Sequence, residues 1–121
     1  MTEVTPEGPR DRLAAERVAT AERLARLERE FIELVESACQ SNADDEHDPE
    51  GATIAFERQH IAALVSQARE GQAEIDSALA RLADGRYGTC ERCAQPIGAE
   101  RLAARPATRT CFACAIAVRN R

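Results

Sequence analysis

Two long stretches of this chain carry apolar residues at helical spacing, and a short polar segment separates them. From Arg10 to Gln40 there is neither Gly nor Pro, and Leu13, Leu24, Leu27, Phe31, Leu34, Val35 and Ala38 recur close to a seven-residue a/d repeat. Arg17 and Thr20 interrupt that stripe, so the first third of this helix is expected to pack loosely or against something else. The other positions are Glu and Arg in mixed order, as a solvated helix face requires. In the second stretch Ile54, Ile61, Ala68, Ile75 and Leu82 stand at strict seven-residue spacing, backed by Leu64, Val65, Ala78 and Leu79. Gly71 is its weak point, costing roughly 1 kcal/mol against Ala.

The ends of both helices are marked. Pro9 suits a first helical turn, where its missing N–H is no loss. Asp48-Pro49-Glu50 reads as an N-cap, a Pro at the first helical position and an acid favoured by the helix dipole. Asp84-Gly85 closes the second helix, with Gly85 as a left-handed cap. Two helices of similar length joined by a short polar turn fold back as an antiparallel hairpin. At 1.5 Å per residue each arm would reach roughly 45–50 Å, a rod with the turn at its tip.

With the Cys-x-x-Cys pairs Cys90/Cys93 and Cys111/Cys114 spaced as for a four-thiolate metal site, the fold class predicted is mainly α: a long antiparallel two-helix coiled-coil hairpin, then a small four-cysteine zinc finger with a short C-terminal helix. The boundaries expected are a flexible N-terminal tail over 1–9, the hairpin over 10–84 with its acidic tip at 41–49, and the finger with its terminal helix over 85–121.

Composition agrees with extended helices rather than a thick core. The chain has 121 residues and no Trp, and its rings are Phe31, Phe56, Tyr87 and Phe112 alone. All sixteen basic residues are Arg. A net charge of −5 argues against a general nucleic-acid coater, which needs a positive field. The charge is also segregated: five acids lie between Asp44 and Glu50, while eight Arg face three acids from Arg81 to Arg121. The two ends should carry opposite potentials. The first ten residues lack the apolar core of a signal peptide, and no apolar run approaches a membrane span. With cysteines spaced for metal, the expected compartment is a reducing cytoplasm.

The clearest chemistry lies in Cys90-Glu91-Arg92-Cys93, seventeen residues, then Cys111-Phe112-Ala113-Cys114. Two Cys-x-x-Cys pairs at that separation are the sequence form of a four-thiolate zinc site. Each pair turns the backbone so that two sulfurs converge, and four complete a tetrahedron with no position left for substrate. Disulfides or a redox dithiol are the alternative use of such pairs. One structural Zn2+ is expected on Cys90, Cys93, Cys111 and Cys114, contributing on the order of 10 kcal/mol of folding energy. Cys111 to Asn120 should form a short terminal helix carrying Cys114, and Phe112, Ile116, Ile97 and Leu102 should pack around the metal. Cys39 reads as a small packing residue, and the lone His47 and His60 as surface.

Cys90-Glu91-x-Cys93 followed by Ile97, Arg101, Pro106, Cys111 and Cys114 resembles the DksA/TraR C4-type zinc-finger family. Gly85-Arg86-Tyr87-Gly88 and Arg101-Leu102-Ala103-Ala104-Arg105-Pro106 extend the resemblance. It implies a regulator that binds RNA polymerase rather than DNA, with the hairpin in the enzyme's secondary channel and acidic tip residues near its active site. The better-known members act together with ppGpp. On that reading Asp44, Asp45, Glu46 and Asp48 are the tip contacts. Arg86, Arg92, Arg105 and Arg109 would seat the base on an acidic rim, while Arg101 would contact the partner or hold the finger together. The family's tip pattern, Asp-x-x-Asp-x-Ala, is not reproduced: counted from Asp48 it meets Gly51 and Thr53, and counted from Asp45 it ends on Glu50.

Three other readings remain open on the residues. A nucleic-acid-binding zinc ribbon would use the Arg cluster near the cysteines. A coiled-coil adaptor would use the helices but leave the acidic turn without a role. An enzyme is not indicated: there is no nucleophile–base pairing, phosphate loop or open metal site. A monomer is expected.

Overall fold

The computed structural model describes residues 8–41 and 49–119. Among the described residues four helices follow one another: α1 (Pro9–Ser41), α2 (Pro49–Ala83), α3 (Ala99–Ala104) and α4 (Phe112–Arg119). No strand occurs among the described residues; the nearest approach is an isolated antiparallel bridge between Thr89 and Pro96. The two long helices begin and end within a residue or two of the marks in the sequence, because the Pro and Gly signals act locally. At the end of α2 the Gly85 amide donates to the Leu82 carbonyl at 3.2 Å and the Arg86 amide to the Arg81 carbonyl at 2.8 Å. This is a Schellman closure, and Gly85 at φ 76° supplies the left-handed residue it needs. The proposed N-cap Asp48 lies outside the described residues.

The chain divides into two compact units, one made of Met1–Val18 with Ala73–Arg121, the other of Ala19–Gln72. In the second unit, Leu27, Val65 and Ala68 form the buried centre, with Leu24, Ile61 and Leu64 packed against them. The helices run antiparallel here. Glu28 accepts a hydrogen bond from Arg69 at 2.7 Å, and Thr20 faces Gly71, where an added Cβ would lie 3.9 Å from the threonine methyl. The break in the α1 stripe at Thr20 is thus matched by the small residue opposite.

In the first unit, Leu13, Ile75 and Ala78 are the buried centre, and Leu79, Leu82, Tyr87 and Ala107 pack against it. The first third of α1 is therefore not loose. Leu13 is fully buried against α2 and against two residues of the cysteine-bearing segment. Arg17, the other break in the stripe, is exposed and pairs with Asp76 at 2.6 Å. Such an exposed pair contributes about 0–1 kcal/mol, so apolar packing carries this contact.

Candidate metal centre

Cys90 and Cys93 sit on a tight turn. The Ala94 amide donates to the Cys90 carbonyl at 3.0 Å, the Cys90 amide to the Gln95 carbonyl at 2.8 Å, and the Ile97 amide to the Gly88 carbonyl at 2.8 Å. The turn requires left-handed backbone at Gly88, φ 87°, and at Ala94, φ 63°. A non-Gly residue there is uncommon and strained by roughly 1–2 kcal/mol. The second pair enters through Thr110 and continues into α4, where the Ala115 amide donates to the Cys111 carbonyl at 3.0 Å. A hydrogen bond from the Glu91 amide to the Arg109 carbonyl, 2.9 Å, ties the two halves together.

These two turns bring the four sulfurs within 4.8 Å of one another. Cys93 Sγ and Cys111 Sγ are 3.8 Å apart. Sulfurs bonded tetrahedrally to zinc at about 2.3 Å lie roughly 3.8 Å from each other, whereas a disulfide needs about 2.05 Å. The donor set fits zinc. Its electrostatics point the same way: the backbone amides of Cys111 and Cys93 hold the Cys90 thiol down at about 6. The neighbouring Cys111 and Cys90 thiols, with burial, push Cys114 up to about 12. Four thiols this close cannot all ionise by themselves, and a divalent cation removes that conflict. With all four positions filled by sulfur, the ion's role is structural.

One sequence expectation about the finger needs correcting. Phe112 is 65% and Ile116 40% exposed, so neither packs around the metal. Helical residues advance by about 100° each, and Cys111 and Cys114 claim the inward side, which turns Phe112 and Ile116 off to one flank. Ile97 is buried as expected and Leu102 half-buried. Much of the remaining cohesion is polar. Arg101 Nε donates to the Thr110 carbonyl at 2.8 Å and its terminal nitrogen to Thr108 Oγ1 at 3.2 Å. Its guanidinium lies 6.0 Å from the Phe112 ring centroid. Of the two roles left open for Arg101, the fold displays the internal one.

The other arginines separate. Arg86 is exposed and paired with Asp84 at 2.9 Å. Arg92 is exposed on the turn between the first two cysteines. Arg105 and Arg109 line one groove of about 530 Å3 together with Arg101, Arg119, Glu74 and Glu91. The acidic candidates Asp44, Asp45, Glu46 and Asp48, and His47 with them, lie outside the described residues. Cys39 is exposed near the end of α1.

Sequence reasoning missed Arg81. It is 4% exposed, and its guanidinium donates to Ser77 Oγ at 2.8 Å and reaches the carbonyls of Ala107 and Thr108 at 3.4 and 3.3 Å. Burial lowers its pKa from the ordinary 12.5, with Glu91 acting in the other direction. The one available signal is its spacing, three residues after Ala78 and so on the same face of the second helix. Arg12, donating to the Ala103 carbonyl at 2.6 Å, and Tyr87, donating to the Pro106 carbonyl at 2.8 Å, were missed as well.

A four-thiolate finger set against the paired ends of two long helices defines a class of small zinc protein, and comparison narrows it. Residues 85–118 match the prokaryotic dksA/traR C4-type zinc finger. The match is confined to the finger; the helices before it are compared through solved structures. The structure is similar to that of transcription factor DksA2 from Pseudomonas aeruginosa, with a TM-score of 0.74 and 27% identity over 93% of this chain and 81% of that one. A protein of Aquifex aeolicus (strain VF5), described only as uncharacterized, is 52% identical over 42 residues, 35% of this chain and 29% of the relative. The chain thus matches under a third of that relative's length. Among the described residues no helix is long and apolar enough to cross a membrane.

Proposed function

We propose that this protein is a transcription regulator that binds RNA polymerase directly, with the tip of its helical hairpin in the enzyme's secondary channel. The observation carrying this reading is the likeness to a transcription factor across nearly the whole chain, helices and finger together. The acidic tip, Asp44, Asp45, Glu46 and Asp48, is the part that modulates initiation, near the polymerase's catalytic metal. The base is positioned by the finger, and Arg86, Arg92, Arg105 and Arg109 seat it on an acidic rim. The groove shared by Arg105 and Arg109 supports a partner carrying carboxylates. In this reading zinc holds the base together and does no chemistry, so the protein is not an enzyme. It works in the cytoplasm as a monomer, with ppGpp as co-regulator on the strength of the family resemblance.

Two measurements test it. The purified chain should capture core RNA polymerase, and Asp45→Asn with Asp48→Asn should retain capture while losing the effect on transcription. Failure of the wild-type chain to bind polymerase would sink the reading. The same Arg-lined groove favours a second one, a nucleic-acid-binding ribbon. A salt-dependent mobility shift of DNA or RNA by the zinc-loaded chain would support that alternative.

A further inference from the structure

The segment 103–110 lies between α3 and the second cysteine pair, and it offers carbonyl oxygens in two directions. Toward the metal, Thr110 immediately precedes Cys111, and its carbonyl accepts from Arg101 Nε at 2.8 Å. Thr108 Oγ1 bonds both Arg101, at 3.2 Å, and the Thr110 carbonyl, at 3.0 Å. Toward the long helices, the Ala103 carbonyl takes Arg12 of α1 and the Ala107 and Thr108 carbonyls take Arg81 of α2, while the Pro106 carbonyl takes Tyr87, just past the end of α2. Ala107 and Tyr87 also pack on the Leu13–Ile75–Ala78 centre.

From this double attachment we infer that the segment is a zinc-dependent clamp, with Arg12 and Arg81 as its links to α1 and α2, which makes the pairing of the first turns of α1 with the last turns of α2 depend on metal occupancy. The segment has no strand and no apolar centre of its own, and fixing each of its residues costs conformational entropy. Zinc on Cys111 and Cys114 fixes its far end. Arg81 then keeps its carbonyl partners while buried, and these add to Ser77 Oγ in offsetting its desolvation. Without the ion the segment is free to leave, Arg81 regains water, and the Leu13–Ile75–Ala78 centre loses the cover that Ala107 and Tyr87 provide. The clamp therefore has two arrangements, and zinc chooses between them.

Hydrogen exchange on the full chain tests this, with thiols kept reduced throughout and zinc either bound or stripped by EDTA. Stripping should raise exchange on the order of tenfold or more at amides 13–17 and 77–83, and leave amides 24–30 and 61–70 within about twofold. Arg81→Met keeps the length and packing of the side chain but cannot donate. It should still hold one zinc per chain in a chromophoric chelator assay, yet show most of that rise at 77–83 with zinc bound. Should Arg81→Met fail to fold, Tyr87→Phe with zinc bound should show a smaller rise, about threefold, at amides 107 and 108. Protection at 13–17 and 77–83 that ignores zinc removal would overturn the inference. So would a zinc-loaded Arg81→Met chain, or in its place a Tyr87→Phe chain, that exchanges like wild type.

Discussion

Arg101 Nε and the Thr110 carbonyl, 2.8 Å apart, join α3 to the residue just before the third zinc ligand. The bond spans most of the interval between the two cysteine pairs, so one side chain sets where Cys111 begins. Arg101→Met should therefore weaken the finger by about 1.5–3 kcal/mol, the usual worth of charge-assisted bonds left unmade. The midpoint of zinc loss to a competing chelator reads this directly. Arg101→Lys should recover only part of it, since a single ammonium cannot follow the planar fork to Thr110 and Thr108 together.

Backbone conformation in the first cysteine turn gives a prediction of opposite sign. Ala94 sits at φ 63°, which a Cβ makes costly. Ala94→Gly should raise the denaturation midpoint of the zinc-loaded chain, by about 0.5–1 kcal/mol after the added unfolded-state entropy is subtracted. Gly85→Ala, at φ 76° in the α2 cap, should lower it by about 1 kcal/mol. Equal effects of one sign at both positions would contradict the turn geometry.

Packing and surface charge should separate cleanly in the first unit. Leu13 is fully buried where α1, α2 and the finger segment meet, so Leu13→Ala should cost about 2–5 kcal/mol in urea denaturation. Arg17→Ala, which removes an exposed pair with Asp76, should cost no more than about 1 kcal/mol.

Acidification should release the metal, because zinc is held by thiolates. With the four sulfurs gathered as the fold holds them, the Cys111 and Cys93 amides draw Cys90 down to about 6, below its ordinary 9.0, and the neighbouring thiols push Cys114 up to about 12. In that arrangement Cys90 gives up its proton most readily, while Cys114 must surrender one as zinc binds. Affinity should fall steadily as pH drops, and more steeply once Cys90 too becomes protonated, below about pH 6. Zinc titrations in buffers of different ionisation enthalpy would count the protons released. A release of none at pH 7 would contradict the four-thiolate site.

The parts of this fold legible in the sequence are those that repeat or punctuate. Ile61, Ala68 and Ile75 recur at a fixed interval, Pro49 and Gly85 mark ends, and the paired cysteines need only their spacing. Sequence was silent where a residue's partner is a backbone carbonyl far along the chain. Arg81, Arg12 and Tyr87 find theirs in the segment 103–108. No periodicity encodes such a bond, because any residue supplies a carbonyl. Hydrophobicity misled at Phe112 and Ile116, where one ligand just before α4 and one within it had already fixed which face turns inward.

The most direct test of the account is a structure of the full chain bound to core RNA polymerase. The account predicts the segment 41–49 inside the secondary channel, with Asp45 or Asp48 close to the catalytic metal and Arg105 and Arg109 against acidic residues of the rim. A complex seated elsewhere on the enzyme, or one that engages nucleic acid through the Arg105–Arg109 groove with the tip in solvent, would contradict it.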